Sequence, residues 1–179
     1  MVLPLVCPGS RIGPAPVVHQ LVQERVIEPL FCDHYLIGDL ALSFARRARI
    51  AQFFAPPNAV LATLTATWVY VGGPVPARLT VVLEPGSTGP RRSFAIRVVR
   101  TSVTSSDLTV VDGVPITSME RTVVDLARWE PGRVAREAIK KLVGAGADME
   151  RAIRMVPDKQ RNSARARDLL GELGRELGN

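Results

Sequence analysis

The sequence predicts an α+β fold in which a small, mainly antiparallel sheet packs on helices. Three observations carry the prediction. Apolar residues alternate with period two in "ARLTVVLEP" (77–85) and "SFAIRVVR" (93–100), the spacing of strands with one face buried. The helical period governs "GRVAREAIKKLVG" (132–144), where Val134, Ala138 and Leu142 fall at i, i+4 and i+8 beside Ala135 and Ile139. Finally, 46% of the 179 residues are hydrophobic and 22% charged, which supplies a core and excludes disorder over most of the length.

The first sixteen residues, with prolines at 4, 8, 14 and 16 and glycines at 9 and 13, read as irregular. In "VVHQLVQERV" (17–26) Val18, Leu21, Val22 and Val26 share one helical face, and "EPLFCDHYLIGD" supplies one or two short strands. A helix followed by a short strand pair is what the back half of a winged helix leaves, so residues 1–39 are expected to form a partial winged-helix-like segment. Residues 40–179 then form the α/β domain. "LALSFARRARIAQFF" (40–54) is helical, with Phe44, Ala48 and Ala51 on one side. After Pro56 and Pro57, Asn58 is expected to cap a second helix running through Tyr70, which Gly72 and Gly73 end.

Two strands follow, joined by the turn-rich "PGSTGPRR" (85–92), which reads as a hairpin tip. "DLTVVDGVPIT" (107–117) gives a third strand, an Asp112-Gly113 tight turn and a short fourth strand. The remainder is helical: 132–144, with Arg133, Glu137 and Lys141 alternating in sign on its exposed side, then "DMERAIRMV" (148–156). A last helix, capped by Asn162 or Ser163, turns Ala166, Leu169, Leu170, Leu173 and Leu177 inward. Gly171 and Gly174 each weaken that helix by roughly 1 kcal/mol relative to alanine.

Several function classes are excluded. The uncharged run from Ile50 to Ala77 is cut by Pro56, Pro57, Gly72 and Gly73, leaving less than the ~20 apolar residues a membrane span needs. The start lacks the basic opening of a secretory signal, and two cysteines, Cys7 and Cys32, are too few for a disulfide scaffold; both favour a cytoplasmic setting. Cys7, His19, Cys32 and His34 match no zinc spacing, so no metal and no cofactor is expected. With two histidines and no G-x-S-x-G there is no Ser-His-Asp reading, and "PGSTGPRR" lacks the order of a phosphate-binding loop.

Charge-bearing candidates fall into two groups. Thr117 and Glu120 form T-x-x-E, the reciprocal capping box, and Arg121 and Asp125 sit one turn apart on the helix that follows. Two residues are too few for catalysis, so this group reads as a structural brace between strand and helix. Lys and Arg number 23 against 17 Asp and Glu, a net charge of +6 carried mostly by arginine. Arg46, Arg47 and Arg49, then Arg91 and Arg92, then Arg161, Arg165 and Arg167 are candidate contacts for nucleic acid or an acidic partner; the alternative is a solvated surface.

The order "RRARIAQFFAPPNAVLATLTATWVYVGG", "RLTVVLEP", "IRVVR", "DGVPITSMERTVVDLAR" resembles the AbiEi-type antitoxins of type IV toxin–antitoxin systems and related actinobacterial regulator-like proteins. Thr117, Arg121, Thr122, Val123, Val124 and Asp125 match the most specific segment, and the likeness covers roughly residues 18 to 145. The resemblance implies a non-enzymatic cytoplasmic antitoxin: an α/β domain that counters a nucleotidyltransferase-like toxin, behind a winged helix that binds operator duplex DNA as a transcriptional regulator. Here the winged helix is expected to be shortened to its final helix and wing. The competing expectations are a protein-interaction module without DNA binding and the remnant of an endonuclease-associated regulator; no E-x-K supports a nuclease.

Overall fold

The computed structural model describes residues 6–37, 42–87 and 94–178. The opening residues are more regular than expected: β1 (Val6–Pro8) and the short α1 (Gly9–Ile12) precede α2 (Ala15–Gln23). Proline does not prevent this, because Pro14 and Pro16 stand at the start of α2, where a missing N–H costs nothing. β2 (Ile27–Pro29) and β3 (His34–Ile37) form a hairpin, and β1 pairs with the other side of β3 to give an antiparallel sheet of order β1-β3-β2. The turn residues Cys32 and Asp33 both have φ +55°, and the His34 N–H donates to the Phe31 carbonyl at 3.1 Å.

α3 (Phe44–Phe54) starts where the Ser43 hydroxyl accepts the Arg46 N–H at 3.3 Å. The expected helix from Asn58 is corrected. Asn58 is left-handed (φ +59°), the chain then forms β4 (Val60–Leu61), and α4 (Thr63–Val71) begins only afterwards. Val60 and Leu61 bond to strands on both sides, which satisfies their backbone and buries their side chains. Gly72 (φ +72°) ends α4 as the Gly-Gly pair predicts.

β5 (Leu79–Leu83), β6 (Ile96–Arg100), β7 (Leu108–Val111) and β8 (Val114–Thr117) complete a five-stranded sheet of order β6-β5-β4-β8-β7. The α+β class read from the sequence is the class observed. β4–β5 and β7–β8 are antiparallel, β4–β8 and β5–β6 parallel. β5 and β6 are therefore not joined as a hairpin, since Leu79 faces Ile96 and Leu83 faces Arg100, and residues 88–93 of the expected tip lie outside the described residues. Alternation is silent on strand direction, and it also misses that β5 is buried on both faces. The β7–β8 turn is the expected one, with Asp112 at φ +53° and Gly113 at φ +80°.

α5 (Met119–Trp129), α6 (Gly132–Gly144), α7 (Met149–Arg154) and α8 (Ser163–Glu176) form a helical layer. Leu126, Ile139, Leu142, Leu170 and Leu173 fill it, while Leu177, expected inward, is exposed. A second core lies on one face of the five-stranded sheet, where Leu61, Val81 and Ile116 meet Ala48 and Ala51 of α3 and Trp68 of α4. Phe31 and Leu36 of the N-terminal hairpin enter this same core.

Candidate functional site

The start of α5 is built differently from the capping box. Thr117 is still paired in β8, opposite Leu108, so the helix begins one residue later and Ser118 is the N-cap, accepting the Arg121 N–H at 3.2 Å. Thr117 stitches elements together instead. Its hydroxyl lies 2.7 Å from that of Thr122 and 3.4 Å from the Leu61 carbonyl, and its own carbonyl accepts the Tyr70 hydroxyl at 2.9 Å. Glu120 reaches the Asp148 N–H at 3.4 Å, linking α5 to the start of α7. Ser118→Ala is expected to cost about 0.5–2 kcal/mol in chemical denaturation, with Glu120→Ala costing distinctly less. Equal losses would reinstate the reciprocal box.

Arg121 is the hub of a buried ionic cluster. Its Nε donates to Asp125 Oδ2 at 3.1 Å, its Nη1 lies 2.9 Å from Asp107 Oδ2, and its Nη2 donates to the Ser102 carbonyl at 3.5 Å. Asp107 ends a 3-10 turn (Ser105–Asp107) and accepts both the N–H and the hydroxyl of Thr104, at 2.8 and 2.9 Å. One guanidinium thus clips the β6–β7 link to α5. Asp125 is 1% exposed. Burial pushes its carboxyl above the ordinary value, against the pull of Arg121 and Arg128. Asp107 is the reverse: burial raises it, but the Thr104 hydrogen bonds and Arg121 outweigh burial and leave it below the ordinary value.

The cluster continues to the end of α5, where three carbonyls need donors. Asn162 Nδ2 donates to Arg128 O at 2.8 Å, Arg97 Nη2 to Trp129 O at 2.9 Å, and the Arg165 guanidinium to Glu130 O. The buried Glu130 carboxylate holds Arg97 at 2.7 Å. Arg128, also buried, donates back to the Arg161 carbonyl at 3.3 and 3.2 Å and lies 4.7 Å over the Trp129 ring. Cations at a helix C-terminus also complement its dipole.

The structure sorts the predicted basic contacts. Arg47 is consumed by the carbonyls of Leu42, Val69 (3.0 Å) and Tyr70 (3.4 Å), closing the end of α4; burial lowers its pKa. Arg49 pairs with Asp112, Arg165 with the end of α5, and Arg167 with Asp158 (2.8 Å) and the Pro157 carbonyl (3.1 Å). Arg91 and Arg92 lie outside the described residues. Arg46 and Arg161 keep exposed guanidiniums with no side-chain partner among the described residues, as do Arg151 and Lys159. The sequence does not single out Arg97, Asp107, Arg128 or Glu130, and it offers Asn162 as a cap of α8, whereas Asn162 stands at that N-cap with φ +63° and turns its side chain to the Arg128 carbonyl instead. Only the i, i+3 spacing of Asp125 and Arg128 could signal one of them.

Charge is unevenly distributed. Residues 1–37 hold Arg11 and Arg25 against Glu24, Glu28 and Asp33, so the whole +6 surplus lies beyond them. α2, "APVVHQLVQ", has no charged side chain. An open groove of ≈ 610 Å³ beside it is lined by Val18, Val22, His19, Asp33 and Tyr35 among others. Among the described residues no three His, Cys, Asp or Glu side chains gather as a metal site, and no helix is long and apolar enough to cross a membrane.

No family model and no curated protein matches the chain. Among solved structures it is similar to the crystal structure of RV2827C protein from Mycobacterium tuberculosis, with 18% identity and a TM-score of 0.49. The match covers 90% of this chain, which spans 66% of the length of that one.

Proposed function

We propose that the chain acts by stoichiometric binding, as an antitoxin-type protein that counters a nucleotidyltransferase-like toxin through residues 40–179. One observation carries this reading: the segment of closest resemblance, around Arg121 and Asp125, is spent internally. Arg121 pairs with Asp107 and Asp125 and donates to the Ser102 carbonyl, and Asp125, at 1% exposure, lies beyond the reach of a substrate even though its Oδ1 has no hydrogen-bond partner among the described residues. Turnover needs a nucleophile or base that reacting atoms can approach.

Between operator binding and a pure interaction module, the uncharged α2 favours the second. A helix read into a DNA groove draws most of its affinity from neutralised phosphates, and α2 brings no cation to them. Co-expression with a nucleotidyltransferase encoded beside this gene is expected to restore growth; continued arrest counts against the antitoxin role. Native gels at low salt are expected to show no retardation with duplex DNA from the promoter. A retarded complex that dissociates steeply with salt would return the regulator reading.

A further inference from the structure

We propose that the exposed face of α3 is a contact site for single-stranded nucleic acid, with Phe53 as the stacking surface and Arg46 and Arg49 as phosphate contacts. The inference does not depend on the antitoxin reading. Arg46, Arg49 and Phe53 stand at i, i+3 and i+7, one face of the helix. At 1.5 Å of rise per residue they spread over about 10 Å. That is on the order of three nucleotides at the ~3.4 Å per-strand spacing of stacked nucleic acid.

Phe53 is 64% exposed, yet its ring is held. It stands edge-on to Phe54 (5.0 Å, 87°) and to His34 (6.3 Å, 68°). Phe54 in turn meets the buried Phe31 at 5.9 Å, and Phe31 meets Trp68 at 5.8 Å. His34 is oriented by its Nδ1, 2.7 Å from the Cys32 carbonyl; the carbonyl can only accept, so Nδ1 carries the proton. The platform is therefore ordered before any ligand arrives, which removes part of the entropic cost of binding.

An exposed aromatic alone fits any partner; the charge beside it selects among them. α3 carries Arg46, Arg47 and Arg49 and no acid. Arg47 is consumed, but Arg46 has no side-chain partner among the described residues. The Arg49–Asp112 pair is 37% and 41% exposed, so it is weak and open to exchange with a phosphate. Every nucleobase offers a face to an aromatic ring, whereas a duplex hides those faces within its stack. The site thus fits single strands in preference to duplex. His34 reaches Phe53 from the N-terminal hairpin, a meeting the sequence does not announce.

The test is fluorescence anisotropy of the full chain with labelled oligo(dT) of roughly 12 nucleotides, within the range that a single-strand site covers, against a duplex of equal length. Binding of oligo(dT) in preference to duplex is expected. Phe53→Ala should weaken it about tenfold or more, and Arg46→Glu should also reduce the salt slope by about 0.7 for each phosphate it no longer neutralises. Thermal melts should show both variants folded. Arg175→Glu, exposed near the end of α8, should leave binding unchanged. No binding, equal binding by the wild type and Phe53→Ala, or equal affinity for duplex would overturn the proposal. Sedimentation showing self-association that Phe53→Ala abolishes would overturn it too, assigning the face to a second copy of the chain.

Discussion

Arg121→Met is expected to cost about 3–5 kcal/mol, the range for removing one partner of a buried ion pair. For a chain of this size that is roughly 6–20 °C in melting temperature. The guanidinium serves two carboxylates, Asp125 at 3.1 Å and Asp107 at 2.9 Å, and methionine keeps the bulk while leaving Asp107 unpaired and Asp125 with only the more distant Arg128, at 3.9 Å. Asp125 suffers more because it is fully buried. Its pKa is already raised in the folded state and should rise further in the variant. A carboxyl with a raised folded pKa contributes stability at low pH that is lost as pH climbs through that pKa, so the deficit should shrink on acidification. The double variant Arg121→Met/Asp125→Leu should recover much of the loss, since two apolar groups need no compensation. Urea denaturation at two pH values checks all of this. A single-variant loss under about 1 kcal/mol, or a double variant no better than the single, would remove the brace.

Leu170→Ala is expected to cost about 2–5 kcal/mol, the range for emptying a packed leucine site. Leu170 is fully buried where α8 meets α5 and α6, beside Leu126, Ile139 and Leu142. Leu177, 40% exposed at the end of the same helix, provides the contrast: Leu177→Ala should change stability by less than about 0.5 kcal/mol. The pair decides whether α8 belongs to the core or hangs on it. Salt bridges from Arg136 to Glu172 and from Lys140 to Glu176 tie α6 to α8 at the surface, but exposed pairs of this kind contribute little beside the buried leucines. A small effect at position 170 with a larger one at 177 would make the helix an appendage.

Periodicity sees burial and local turns, and the sequence is legible where those decide. Asp112-Gly113 closes its hairpin, Gly72 stops α4, and Arg133 meets Glu137 at 3.2 Å one turn on. It misleads where partners far along the chain decide. Asn58 has the chemistry of a cap, but Val60 and Leu61 are claimed by β5 and β8. Thr117 and Glu120 have the spacing of a capping box, but strand pairing holds Thr117 and moves the cap to Ser118. In the site, the i, i+4 pair of Arg121 and Asp125 can be read directly. The partners that make it a brace, Asp107 and the Ser102 carbonyl, come from the link between β6 and β7, and no local pattern points to them.

β4, two residues long, is the middle strand of its sheet, bonded to β5 on one side and to β8 on the other. A nascent chain emerging from the ribosome can align β5 with β4 early, but Leu61 must wait for Ile116 before its second edge is covered. At about 5–20 residues per second, that wait lasts several seconds, during which an apolar strand edge stands open to neighbouring chains. Closure over more than fifty residues also makes spontaneous refolding slow, so recovery from denaturant should depend strongly on protein concentration and improve when a chaperone shields that edge.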